Sequence, residues 1–202
     1  MHIRRKAMAN EDAAVSLQEC FAQQFPLRVG DLLLRLPTVE EVLALNERAA
    51  QEENLGCFTC RPVAVHTPQE QQERLQASLQ NQDMLFAGIF LPEHSGAGMI
   101  GKVNLFDYNS RNRSAELGYR LLKAYRRRGY SSTAVRALLQ IAFHEAKLHK
   151  VYAQTGSFNQ PSIELLHSLG FSRDAVLRDH HELSGKFYDD LIFSILETEW
   201  NG

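Results

Sequence analysis

The spacing of hydrophobic positions changes several times along the chain, and each change marks an element. Between about Asn10 and Gln24, residues Ala14, Leu17, Phe21 and Phe25 recur at helical spacing until Pro26 stops the run. Asp31 to Leu36 (DLLLRL) then reads as a strand. Thr38-Val39-Glu40-Glu41 has the spacing of a capping box and opens a helix to about Ala50. Thr67-Pro68-Gln69-Glu70 repeats that signal, with proline at the first helical position, and opens a helix to about Gln82.

From there the period is that of strands. Leu85–Leu91, Met99–Phe106 and Ser114–Leu121 are divided by the turn-rich EHSGAG and DYNSRNR. In the third, Ala115, Leu117, Tyr119 and Leu121 alternate with Glu116, Gly118 and Arg120, so one side is apolar and the other mixed. A helix over Thr133 to about His149 carries Val135, Leu138, Leu139, Ala142 and Ala146 as its stripe. The strand VYAQT follows, then a short helix in NQPSIELLHSLGF with Asn159 at its cap and Gly170 at its close. Two strands, about Ala175–Glu182 and Phe187–Glu197, complete the chain. This order predicts an α/β domain with a mixed, mostly antiparallel sheet flanked by helices. An extra N-terminal helix (residues 1–28) precedes the domain proper (residues 29–202).

Charge narrows the partners. Against 24 acidic residues stand 22 lysines and arginines, a formal net charge of −2, so neither nucleic acid nor an anionic membrane is expected as a partner. The charged start meets Glu11 and Asp12 where a signal peptide needs an apolar run, and no stretch has membrane-spanning length. Three cysteines suit no disulfide framework, and a reduced, cytoplasmic setting is expected. Cys57 and Cys60 form one C-x-x-C, which supplies two of four zinc ligands with Cys20 and His66 as distant partners; no metal is expected.

The stretch most suggestive of chemistry is Tyr125 to Val135, YRRRGYSSTAV, between a strand and a helix. A helix start presents unpaired N–H groups and the positive end of a dipole, which suit phosphate. Gly129 allows a turn with those N–H groups turned inward, and Ser131, Ser132 and Thr133 add hydroxyls. Arg126, Arg127 and Arg128 add charge at the rim. A solvated basic turn with a serine cap has the same composition, so the loop alone leaves both readings open.

Its context favours the phosphate-binding reading. AELGYRL, YRRRGYSSTAV, NQPSIELLHSLGF and SGKFYDDLIFSIL together resemble the GNAT acyl-CoA-dependent N-acetyltransferases, and more narrowly their RimJ/RimL branch. The similarity runs from about Leu32 to Leu196. One departure is Ser131, where the family usually has glycine or alanine. The resemblance implies acetyl-CoA as co-substrate, its pyrophosphate on the backbone of Arg127, Arg128, Gly129, Tyr130, Ser131 and Ser132. It further implies the pantetheine arm along Leu121 and Leu122, contacted by Asn159, for which a plain helix cap is the other reading. The segment around Cys57 and Cys60 falls where related enzymes form part of the acceptor cleft.

Acetyl transfer needs a neutral amine, alignment on the carbonyl, and donors for the oxyanion and departing thiolate. Two places offer a base. Glu116 lies on the mixed side of its strand, where pairing with Arg120 is the alternative. His181 falls where some RimL-like members carry a carboxylate, with an exposed, idle histidine as the alternative; strand alternation sets it on the opposite side from His180 and Glu182. The tyrosine acid of many GNAT enzymes is replaced by Leu166, and the serine of RimL-like members matches Ser162. The acceptor is an amine, either a protein N-terminus or a small molecule; a non-catalytic acyl-CoA-binding module is the reading from another class. Leu17, Phe21 and Phe25 either pack on the domain or on a second copy in a homodimer.

Overall fold

The computed structural model describes residues 16–52, 58–61, 64–93 and 95–202. Helix starts follow their caps closely. Ser16–Glu19 and Thr67–Glu70 form reciprocal capping boxes that open α1 (Leu17–Ala22) and α3 (Pro68–Gln80). Thr38 and Glu41 exchange the same pair of bonds at the start of α2 (Val39–Glu52). The part of the predicted N-terminal helix before Ser16, with Ala14, lies outside the described residues, as does Cys57.

Eight strands form one sheet: β1 (Leu27–Val29), β2 (Leu32–Arg35), β3 (Leu85–Phe90), β4 (Met99–Asn109), β5 (Ser114–Leu121), β6 (Lys150–Gly156), β7 (Ser172–Leu183) and β8 (Lys186–Leu196). Their order is β1-β2-β3-β4-β5-β6-β8-β7, antiparallel except where β5 meets β6. The parallel step needs a crossover, which α4 (Tyr130–His144) makes; α5 (Gln160–Ser168) then links β6 to β7. The first strand is absent from the sequence pattern, because three residues are too few to show alternation, and pairing with β2 creates it.

Each face of the sheet has its own core. Leu117, Leu121, Val151, Ala153 and Phe193 meet Val135, Leu138 and Leu139 of α4, with Leu17 and Phe21 of α1 in the same cluster. On the other face Phe86, Phe90 and Met99 pack under Val42, Leu45 and Ala49 of α2, and Leu75 and Leu79 of α3 cover them. Leu17 and Phe21 of α1 are thus buried within the chain, and Phe25 packs partly against the same cluster.

The β5–β6 ladder is short. Ser114, Ala115 and Glu116 pair with Lys150, Val151 and Tyr152, and there it ends. Beyond that point β5 stays with β4 as far as Leu121, and β6 stays with β8 as far as Gly156. The sheet therefore carries a wedge between two parallel strands, closed at Glu116 and open toward the loop that follows β5.

Candidate active site

At the open end of the wedge lies the arginine-glycine loop. The predicted serine cap is not what starts the helix: Gly129 is the N-cap, in left-handed conformation (φ 77°), and α4 begins at Tyr130. No side chain caps it, and the first backbone N–H to be satisfied within the helix is that of Thr133, which donates to the Gly129 carbonyl (2.9 Å). The N–H groups of the first turn are thus left to a ligand or solvent, including the one that a serine cap would have taken. Arg127 is also left-handed (φ 60°), and alternating hands in successive residues turn N–H groups to one side. Arg127, Arg128 and Gly129 are exposed, while Tyr130, Ser131 and Ser132 are half-buried. Arg126 turns inward, its Nε donating to the Leu121 carbonyl (2.9 Å), so it braces the end of β5. Leu121 and Leu122 are buried, and the Leu122 N–H bonds to Ile100 on β4.

Across the wedge, Asn159 occupies the N-cap position of α5 but makes no side-chain cap; its Nδ2 donates to Thr155 Oγ1 (3.2 Å) on β6. Ser162, in the first turn of α5, meets a residue not assigned a chemical role from sequence. The Tyr119 hydroxyl reaches from β5 to Ser162 Oγ (2.7 Å), bridging the two sides of the wedge. Burial pushes the Tyr119 phenol up to about 12 despite that bond. The sequence signal was a tyrosine on an apolar strand face, where a hydroxyl needs a partner.

The candidate bases are brought together on the opposite sheet face. Glu116, Tyr152 and Gln154 share that face by register. Glu116 does not pair with Arg120: Arg61 bonds its Oε2 (2.8 Å), while Arg120 binds Asn46 Oδ1 (2.6 Å) on α2. Arg61 also bonds Asp107, a left-handed residue (φ 51°) at a bulge in β4, and lies over the Phe106 ring (4.8 Å). Burial raises the Glu116 carboxyl, and the Arg61 bond and charge only partly reverse this.

His181 is not an idle exposed residue: it is 5% exposed, with Nδ1 3.2 Å from Asp190 Oδ1. Nor does alternation separate the two histidines. Leu177 pairs with Asp190 and His181 with Tyr188, so β7 holds extra residues between, including left-handed Asp179 (φ 49°). This bulge turns His180 onto the same carboxylate, Nδ1 2.9 Å from Asp190 Oδ2, which also accepts from Gln154 Nε2 (2.8 Å). Asp190 is fully buried. Burial acts to raise its carboxyl, but bonds from His180, Gln154 and Cys60 and the charge of His181 win, and it lies below the usual range. Cys60 joins the group: burial, Asp190 and Glu116 push its thiol up to about 12 against Arg61. Asp190 was missed from sequence because a carboxylate inside a predicted strand gives no sign of its partners, and only the bulge opposite supplies them.

A splayed parallel pair, an uncapped helix start at its mouth and acid–base groups behind its apex suit acyl transfer from an extended cofactor. The comparisons agree. The profile of the acetyltransferase (GNAT) domain matches residues 31–172. Probable N-acetyltransferase YjcK of Bacillus subtilis is 30% identical over 174 residues, 82% of this chain and 92% of that protein. Uncharacterized N-acetyltransferase p20 of Bacillus licheniformis is 34% identical over 104 residues, 52% of this chain and 58% of its own length. A solved structure of RimL, the ribosomal L7/L12 alpha-N-protein acetyltransferase, in complex with coenzyme A superposes with a TM-score of 0.74 at 18% identity, covering 85% of this chain and 97% of that one. The chain belongs to the GNAT acetyltransferase family, whose members use acetyl-CoA, and it is an N-acetyltransferase.

Proposed function

We propose that this enzyme acetylates the N-terminal α-amine of a protein, with His181 as general base. The arrangement that carries the reading is buried His181 held on fully buried Asp190. An ionised carboxylate only accepts hydrogen bonds, so Asp190 keeps the proton on His181 Nδ1 and leaves Nε2 to accept one. An α-amine, with a pKa of about 7.7–8.0, is already partly neutral near pH 7, so a histidine suffices, directly or through a water.

Acetyl-CoA would lie in the wedge, its pyrophosphate on the N–H groups of Arg127 to Ser132 and its arm along Leu121 and Leu122 beside Asn159. The amine nitrogen bonds to the thioester carbonyl carbon, its proton passes to His181, and the C–S bond then breaks. Ser162 Oγ, held by the Tyr119 hydroxyl at 2.7 Å, donates a hydrogen bond to the departing thiolate, which leaves as the thiol on taking a proton from solvent, while His181 returns its own proton to solvent. Glu116 holds the incoming amine.

One observation favours a second reading. Arg61 occupies a cation site formed by Asp107, Glu116 and the Phe106 ring, and a small polycationic amine would be recognised by the same groups.

Thiol release from acetyl-CoA, measured over a panel of N-terminal peptides and polyamines, separates the readings. Peptides are expected to be turned over and polyamines not. His181→Ala, folded by circular dichroism, should lower kcat about 100-fold or more. An unchanged kcat removes His181 from the mechanism.

A further inference from the structure

We infer that Cys60, His181 and Asp190 form a binding site for a thiophilic divalent cation of the zinc class. Their ligand atoms all lie within 4.8 Å of one another. Tetrahedral zinc, with bonds of about 2.0–2.3 Å, sets its ligand atoms about 3.2–3.7 Å apart. His181 Nδ1 and Asp190 Oδ1 already stand at 3.2 Å, the separation of two ligands on one ion, and the Cys60 sulfur lies within 4.8 Å of a ligand atom of each residue.

The donor set selects the metal. A thiolate and an imidazole with one carboxylate suit zinc, cobalt or cadmium and not the oxygen-seeking magnesium or calcium. Supporting contacts are in place: the other oxygen of Asp190 is held by Gln154 and His180, and the Phe158 ring packs edge-on against His181 (4.9 Å). Three protein ligands leave a fourth position to water. These are not the partners that the C-x-x-C spacing suggests. Cys20 lies in α1 and packs against the core, and the partners of Cys60 come from the bulged hairpin of β7 and β8.

Metal on this site takes the imidazole and the carboxylate that acetyl transfer is proposed to use, so the ion acts as an inhibitor. This consequence rests on the proposed function, whereas the binding itself does not.

Cobalt(II) titrated into the chelator-treated full chain should give thiolate-to-cobalt charge-transfer absorption saturating at one equivalent, displaced by zinc. Cys60→Ser should abolish the band, and Asp190→Asn should weaken binding at least tenfold. Cys20→Ser and Cys57→Ser should leave the band intact. Zinc should raise the melting temperature of the unsubstituted chain and not of Cys60→Ser, which guards against misreading an unfolded variant. No band in the unsubstituted chain, or a band that survives Cys60→Ser or is lost in Cys57→Ser, overturns the site. Zinc binding without loss of thiol release keeps the site and removes His181 as base. Absence of binding while His181→Ala is inactive does the reverse.

Discussion

Glu116 shows how one neighbour resets a carboxylate. Burial between strands raises its pKa, and Arg61 pulls it part of the way back. Removing the guanidinium takes away the lowering influence and leaves burial, so the carboxyl in Arg61→Ala ionises at higher pH than in the parent. If ionised Glu116 binds the amine, the acidic limb of the kcat/KM profile should move to higher pH in this variant, and Arg61→Lys should fall between. A limb that stays in place would assign it to another group. Arg61 was invisible as a site residue because its two carboxylates lie far along the chain, and only packing over Phe106 brings them together.

The loop and the two bulges act as units. Gly129 supplies the left-handed turn that frees the first N–H groups of α4, and an added Cβ would meet nothing within 4 Å. A side chain there costs about 1–2 kcal/mol of backbone strain but no packing. Gly129→Trp should therefore lower the melting temperature by about 2–8 °C, while its bulk blocks the cradle and weakens coenzyme A binding at least tenfold by calorimetry. Retained affinity would move the pyrophosphate elsewhere. The bulges at Asp107 and Asp179 re-aim side chains that strand alternation assigns wrongly. Period-two reasoning sets His180 and His181 on opposite faces; extra residues in β7 bring both to Asp190. Bulges carry no fixed sequence signal, since Asp at positive φ looks like any turn-forming aspartate.

Across the whole molecule, the N-terminal helix is part of the same core as the wedge. Phe21 is fully buried in the cluster that includes Leu138, Leu139 and Leu117, and lies 6.4 Å from the Phe25 ring. Phe21→Ala should cost about 3–5 kcal/mol and lower the single melting transition seen by sheet and helix signals alike. A helix that melts separately, with the sheet transition unmoved, would make it an independent appendage. Among the described residues no helix is long and apolar enough to cross a membrane.

Local rules reached far into this protein. The capping boxes at Thr38 and Thr67, the alternation in β5 and the stripe of α4 are written in neighbouring residues, because caps and amphipathic faces depend on short separations. The glycine turn before α4 was legible for the same reason, since Gly129 and the helix it starts are contiguous. The acid–base groups were legible only as candidates. Which of them meet is set by a parallel ladder three residues long, a bulge in each of two distant strands and the approach of Cys60 and Arg61 from a separate segment. Those contacts join residues far apart in the chain, and only the packed sheet decides them.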